Sequence, residues 1–155
     1  MLNRLLNNIM KISKLALALC LMFAATGISS AQEWQTNFDE AQSLAVKSHY
    51  NIILVFQGSD WCAPCMKLEQ EIWNTDEFKS YAKDHYVMLK ADFPKRKKNA
   101  LSEEQQNANN QLAEKYNKKG YFPLVVVLDE QGNVLGETGY KKTDPDGYIK
   151  ILNSF

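Results

Sequence analysis

Apolar and polar residues follow one another along the chain in blocks that predict an alternation of helices and strands. Asn37, with Glu40 three residues later, indicates the start of a helix whose apolar residues share one face through about Ser48. The run from Ile52 to Phe56 is apolar at every position, which is typical of a strand covered on both faces. We therefore expect an amphipathic helix followed by a strand in the interior of a sheet.

The pattern after this strand continues the alternation without a repeat or a linker. A helix is predicted after Cys62, with an interruption near residues 74–75 and a continuation through Tyr81. The later segments are predicted as a strand at 86–93, a helix at 102–116 with a capping box, a hairpin of strands at 124–128 and 134–140, and a final helix at 144–155. This order predicts one α/β domain.

The first 31 residues have the features of a secretory signal peptide. Basic residues precede the apolar stretch 15–25, and the small residues 29–31 (Ser-Ser-Ala) suit a cleavage site. The stretch is short for a membrane span, so a permanent anchor is the less favoured alternative. A lipoprotein anchored through Cys20 is also less favoured, because Leu19 precedes it where a small residue would stand. We expect a signal peptide at 1–31, a domain at 32–155, and a periplasmic or secreted location.

Removal of this segment changes both the net charge and the number of cysteines. The chain has 18 basic and 18 acidic residues, and the segment contains only basic ones, so the mature domain is slightly acidic. We therefore expect no binding to nucleic acid. Cys20 leaves with the segment, and Cys62 and Cys65 are then the remaining cysteines.

Cys62 and Cys65 are separated by two residues at the point where the predicted strand gives way to a helix. A sulfur at a helix N-terminus is favoured as a thiolate, because unsatisfied backbone N–H groups point towards it. A thiolate attacks disulfides, and a second cysteine one turn later resolves the mixed disulfide. Pro64 suits the first turn of that helix, since its φ is fixed and it has no N–H. We predict that the pair is a catalytic, redox-active disulfide.

The same spacing is also found in metal sites, which require further ligands. A zinc site needs four, and outside the cysteine pair the mature chain offers only His49 and His85, each isolated in sequence. We expect no metal and no cofactor. A copper-binding or metallochaperone module that uses the two sulfurs as soft ligands stays open as an alternative, as does a non-catalytic interaction domain.

Two segments resemble the thioredoxin superfamily. They are residues 58–65 (Gly-Ser-Asp-Trp-Cys-Ala-Pro-Cys) and residues 120–129 (Gly-Tyr-Phe-Pro-Leu-Val-Val-Val-Leu-Asp). The resemblance implies a thioredoxin fold, with a central mixed β-sheet flanked by helices, and a cis peptide bond before Pro123 opposite the dithiol. The variant with Gly-Ser-Asp before Trp-Cys resembles the secreted thioredoxin-like proteins of Gram-negative bacteria.

This resemblance implies a thiol-disulfide oxidoreductase of the cell envelope. Ala63-Pro64 is similar to the Gly-Pro of reducing thioredoxins, so reduction is the favoured direction. The expected partners are disulfide-containing envelope proteins and a transmembrane thiol reductant that supplies electrons, because the periplasm is kept oxidising. We expect the protein to act as a monomer.

Residues around the dithiol receive provisional roles. Trp61, Phe122 and Pro123 are predicted to bind substrate: Trp61 by an apolar face, although it also suits a shielding role, and Phe122 by pairing with an extended strand. Asp60 is expected to be a surface residue, with like-charge repulsion of Cys62 as a minor alternative.

Two further features concern proton transfer and charge. Thioredoxins that resemble this chain carry a buried aspartate where Val55 or Phe56 stands, so proton transfer at Cys65 is expected to use water, Asp60 or Lys67. The basic run 95–98 (Lys-Arg-Lys-Lys) suits an acidic partner or a membrane surface, but a solvated loop is the favoured interpretation.

Overall fold

The computed structural model describes residues 33–155, and the predicted signal peptide lies outside them. Within these residues, five strands form a mixed sheet in the order β1-β3-β2-β4-β5. The strands are β1 (Trp34–Gln35), β2 (Asn51–Gln57), β3 (Tyr86–Asp92), β4 (Leu124–Leu128) and β5 (Val134–Thr138). β3 runs parallel to both β1 and β2, whereas β4 runs antiparallel to β2 and β5. β2 therefore lies at the centre of the sheet, as its unbroken apolar run predicts.

Helices cover both faces of this sheet. They are α1 (Phe38–Ser48), α2 (Ala63–Leu68), α3 (Asp76–Lys83), α4 (Glu103–Tyr116) and α5 (Pro145–Leu152). The predicted caps are confirmed, because the side chains of Asn37 and Ser102 accept backbone N–H groups from the first turns of α1 and α4. Thr75 and Asp144 cap α3 and α5 in the same way.

Residues of β2 alternate between two apolar layers. Ile53 and Val55 face the layer built with α2, α3 and α5, in which the Trp73 ring lies 4.6 Å from Phe78 and 5.2 Å from Tyr148 between centroids. The intervening residues of β2 face the layer built with α1 and α4. Because both faces are covered, every position of this strand from Ile52 to Phe56 is buried.

The structure differs from the sequence pattern at element ends and in one short strand. β1 has two residues, which is too short to show an alternation, and the pattern does not predict it. The predicted helix after Cys62 is α2 followed by a π-helical turn at Glu69–Trp73, and α3 begins after the predicted interruption. β5 and α5 end at Thr138 and Leu152, before their predicted ends. Among residues 33–155, no helix combines the length and apolar character required to cross a bilayer.

Candidate active site

Cys62 and Cys65 lie at the junction between the central strand and α2. Cys62 is the N-cap of α2, with extended backbone angles (φ −93°, ψ 96°), and its Sγ accepts a hydrogen bond from the backbone N–H of Cys65 at 3.2 Å. The two residues form a disulfide with an S–S distance of 2.03 Å. The sulfur of Cys62 therefore takes the place of the oxygen that caps the other helices, and it accepts a backbone N–H from the first turn of α2.

Exposure does not distinguish the two cysteines, but hydrogen bonding does. Each residue is 4% exposed in the disulfide form. Cys62 Sγ accepts a backbone N–H, whereas Cys65 Sγ accepts no hydrogen bond from the described residues. Behind them, Leu68 and Trp73 are buried in the core and hold α2 in place. The helix start is thus a rigid support for an asymmetric pair of sulfurs.

Trp61 is held beside the disulfide by three contacts. Its Nε1–H donates to the carbonyl oxygen of Phe93 at 2.7 Å, its ring lies 5.3 Å from the Phe122 ring in a T-shaped arrangement, and the Lys95 ammonium lies 3.9 Å from its ring centroid. The residue still exposes 38% of its surface. Both interpretations of Trp61 therefore fit the geometry, since it packs over the active loop and presents an apolar surface.

Gly58 makes room for the Trp61 ring. A Cβ atom at position 58 would overlap the indole ring, so a side chain there would push the ring out of its place. The carbonyl oxygen of Gly58 also accepts backbone hydrogen bonds from Trp61 and Cys62 at 3.3 and 3.0 Å. The glycine thus fixes the turn between β2 and the dithiol.

The segment that follows β3 is tied to this turn by two carboxylates. Asp92, the last residue of β3, accepts hydrogen bonds from the N–H (2.9 Å) and the hydroxyl (2.6 Å) of Ser59. Asp60, in the turn itself, binds residues 95–99 after β3, which we call the basic loop. Its carboxylate accepts from the backbone N–H groups of Lys95 (2.9 Å) and Arg96 (3.0 Å) and from the Asn99 amide (2.9 Å).

Asp60 is a partly exposed residue of the turn, and its carboxylate has a structural role that the sequence does not predict. Its carboxylate is the anchor of the basic loop, and the hydrogen bond from the Lys95 N–H, with those from Arg96 and Asn99, lowers its pKa below the ordinary value. A carboxylate whose pKa is lowered and whose oxygens already accept three hydrogen bonds is a weak proton acceptor, which argues against Asp60 as the base that deprotonates Cys65. The sequence does not reveal this role because the donors lie more than thirty residues away.

The loop before β4 completes the site. The Phe122–Pro123 peptide bond is cis, as the resemblance implies. The Phe122 ring lies between Trp61 and Phe93, at 5.3 and 5.5 Å between centroids, so Trp61, Phe122 and Pro123 come together with the disulfide at one edge of the sheet. Phe93 also belongs to this cluster, and nothing in the sequence pattern marks it as a site residue.

Asn117 supports the same loop from below. It is 5% exposed, its side-chain amide donates to the carbonyl oxygen of Tyr121, and its side-chain oxygen accepts the N–H of Tyr121, both at 2.9 Å. A buried polar side chain that satisfies its donor and its acceptor on one residue is a specific clamp. The sequence offers no signal for it beyond an asparagine at the end of a helix.

Comparison with known proteins identifies the family. Residues 38–155, more than half of the chain, match the family described as thioredoxin-like domain. The chain belongs to the thioredoxin-like family. Disulfide bond reductase DsbH of Chlamydia pneumoniae is 34% identical over 122 residues, which span 79% of this chain and 71% of that protein. A solved structure described as DsbH oxidoreductase has 33% identity and a TM-score of 0.74, covering 81% of this chain and 84% of its own.

A second relative matches over a smaller part of its own length. Thioredoxin-related protein DsbJ of Chlamydia pneumoniae is 24% identical over 98 residues, which span 63% of this chain and 27% of that protein. The thioredoxin fold, the relatives and the disulfide between Cys62 and Cys65 together make this thioredoxin-like protein a thiol-disulfide oxidoreductase.

This thioredoxin-like protein has no aspartate at the two positions near the end of β2 where the resemblance to thioredoxins would place a buried one. Val55 and Phe56 are buried, at 1% and 0% exposure, and bring no titratable group to the strand. Lys67, in α2, is exposed. Two further charged groups follow in the π-helical turn: Glu69 pairs with Lys90 of β3 at 3.7 Å, and Glu71 accepts a hydrogen bond from the Tyr140 hydroxyl at 2.6 Å.

The two histidines lie at the opposite end of the parallel strands β2 and β3 from the dithiol. His49 ends α1 and precedes β2, where it pairs with Glu130 at 3.4 Å, and His85 precedes β3, where its ring stacks on Tyr81. The dithiol follows the opposite end of β2. Within residues 33–155, no group of three or more histidine, cysteine or acidic side chains is placed to hold a metal ion.

Proposed function

We propose that this protein reduces disulfide bonds in proteins of the cell envelope, acting as a monomer. Cys62 is the attacking thiolate and Cys65 the resolving thiol. The observation that carries the proposal is the 3.2 Å hydrogen bond from the Cys65 N–H to Cys62 Sγ at the start of α2. The same N–H stabilises negative charge on Cys62 once the disulfide opens.

The reaction is two successive thiol-disulfide exchanges. The Cys62 thiolate attacks one sulfur of the substrate disulfide, so that a Cys62–substrate bond forms and the other substrate sulfur leaves as a thiolate. Deprotonated Cys65 then attacks Cys62 Sγ, the Cys62–Cys65 bond forms, and the second substrate sulfur leaves. Two electrons and two protons pass in total from the protein dithiol to the substrate.

An extended substrate segment is assigned to the aromatic surface beside the disulfide. Trp61 and Phe122 offer partly exposed rings there, and Pro123 lies next to them. Backbone pairing with such a segment would present its disulfide to Cys62, while the rings contact neighbouring apolar side chains. The absence of charge on these three residues suits substrates of varied sequence.

The hydrogen bonding of Cys62 and the name of a relative both support reduction as the direction. A strong oxidant is one whose reduced form is unusually stabilised. Here Cys62 Sγ accepts one backbone hydrogen bond within residues 33–155, and no side chain in that range donates to it. The relative at 34% identity is itself named a disulfide bond reductase. A modestly stabilised thiolate favours donation of electrons to a substrate.

Equilibration with glutathione redox mixtures tests the direction. We expect a reduction potential more negative than about −230 mV, on the reducing side of the glutaredoxins, together with rapid reduction of insulin. The fraction of oxidised protein is measured by alkylation and mass spectrometry. A potential near that of DsbA, about −120 mV, would identify an oxidant and contradict the proposal.

The proposed function requires that the protein is exported and that a redox partner reduces it again. We propose that residues 1–31 are removed and that a transmembrane thiol reductant returns electrons to the Cys62–Cys65 disulfide, since the periplasm is kept oxidising. Mass spectrometry of the envelope fraction should find Gln32 as the first residue. An intact N-terminus in the cytoplasm would contradict export, and a lipid-modified Cys20 would replace the soluble form with a lipoprotein.

A further inference from the structure

We propose that the basic loop is a docking surface that selects disulfides flanked by acidic residues. The proposal rests on the proposed function and adds a substrate class to it. The loop presents Lys95, Arg96, Lys97 and Lys98, all exposed, in consecutive positions beside the dithiol. The occupant is an acidic segment of the polypeptide whose disulfide is being reduced.

The loop is fixed to the active site and does not simply lie near it in sequence. Asp60, two residues before Cys62, accepts hydrogen bonds from the Lys95 and Arg96 N–H groups and from the Asn99 amide. The Lys95 ammonium lies 3.9 Å from the centroid of the Trp61 ring, directly before Cys62. A solvated loop would need none of these contacts, whereas a docking surface needs its charges held in place.

The charges of the loop are available to a partner. Within residues 33–155, none of its four cationic side chains forms a salt bridge. Asp60 accepts three hydrogen bonds from the loop and interacts electrostatically with Arg96, and the Lys95 ammonium lies over the Trp61 ring, so Lys97 and Lys98 are the cations that no group of the described residues engages. An acidic substrate segment would thus meet unpaired cations in a domain whose net charge is slightly negative, so the attraction is local.

A polypeptide fits this position better than a membrane surface does. The Lys95 ammonium lies over Trp61, directly before Cys62, and Phe93, two residues before the loop, contacts both Trp61 and Phe122. A flat anionic bilayer against the loop would therefore lie over the aromatic surface that the substrate must reach. An extended acidic segment meets the cations and leaves its own disulfide at Cys62. Charge complementarity of this kind acts mainly on the rate of association.

Two disulfide-bonded peptides, identical except for glutamate or glutamine beside the disulfide, test the proposal. The rate at which each oxidises the reduced protein is followed by acid quench and alkylation. We expect the glutamate peptide to react about tenfold faster at low salt, and high salt to remove the difference. Lys97→Glu combined with Lys98→Glu should abolish the preference and leave the glutamine peptide unaffected, since the loop is held through the Lys95 and Arg96 backbone and the Asn99 amide.

A matched control separates local charge from net charge. Lys47→Glu combined with Lys83→Glu makes the same change at exposed positions that end α1 and α3, at the opposite edge of the sheet, and should keep the preference. Equal rates for the two peptides in the wild type, or an equal loss of preference in both double variants, would overturn the proposal. A wild type that reduces neither peptide would instead contradict the proposed function itself.

Binding to lipid is distinguished in the same set of variants. Vesicles that contain anionic phospholipid should not retain the wild-type protein more than the Lys97→Glu, Lys98→Glu variant. Retention that depends on these lysines, without a preference between the peptides, would assign the loop to a membrane surface and reject peptide docking.

Discussion

Replacing Cys62 with serine is expected to lower the rate of disulfide reduction about a thousandfold or more, because the attacking sulfur is lost. Cys65→Ser should keep the attack and lose the release, since Cys62 is the sulfur that accepts the N–H at the start of α2. The Cys65→Ser variant should therefore accumulate mixed disulfides with its substrates. Insulin reduction and non-reducing gels after an acid quench measure the two effects.

The variant that carries serine at both positions is the control and should trap nothing. Equal trapping by the two single variants would show that the sulfurs are equivalent, contrary to the asymmetry of their hydrogen bonding. Full insulin reduction by Cys62→Ser would remove the assignment of the nucleophile. Faster alkylation of Cys62 than of Cys65 below neutral pH, measured on the reduced wild type, provides an independent check.

Asn117→Ala is expected to lower the free energy of unfolding by about 2 kcal/mol, because it removes two hydrogen bonds and leaves the backbone groups of Tyr121 without partners. The melting temperature should fall by roughly 5–10 °C. Insulin reduction should slow several-fold even at temperatures where the variant is folded, since the turn that leads into Phe122 loses its clamp. Thermal and urea unfolding, with activity assays at low temperature, measure these effects.

Asn107→Ala is the matched control for this substitution. Asn107 lies on the exposed surface of α4, where alanine is the better helix former, so the variant should be as stable as the wild type or slightly more stable. If Asn117→Ala matched this control in both stability and activity, the clamp would have no role in the site.

Much of the architecture could be predicted from local pattern. The apolar run Ile52 to Phe56 indicated a strand buried on both faces, and it is the central strand. Asn37 and Ser102 indicated helix starts at which they are indeed the caps. These predictions were right because binary pattern and capping act within a few residues of each other. The two residues of β1 have no such pattern, and only pairing with β3 reveals them.

The side chains that surround the dithiol could not be predicted from local sequence, because only the fold brings them together. Asp60 reads as a surface carboxylate in the sequence, but its three donors come from residues 95–99, after β3. Phe93 and Phe122 belong to different loops, and they meet because β2 and its neighbours β3 and β4 bring those loops to one edge of the sheet. Contacts at such separation leave no periodic signal in the chain.

The sequence by itself determined the class of fold and favoured the chemistry. Two cysteines at a helix start after a buried strand predict a redox pair, because the helix terminus and the spacing are local properties. The tertiary structure alone decided which surface accompanies that pair. It anchored the basic loop through Asp60 and clamped Tyr121 through Asn117. Those contacts join residues that only the packing of strands and helices brings within hydrogen-bonding distance.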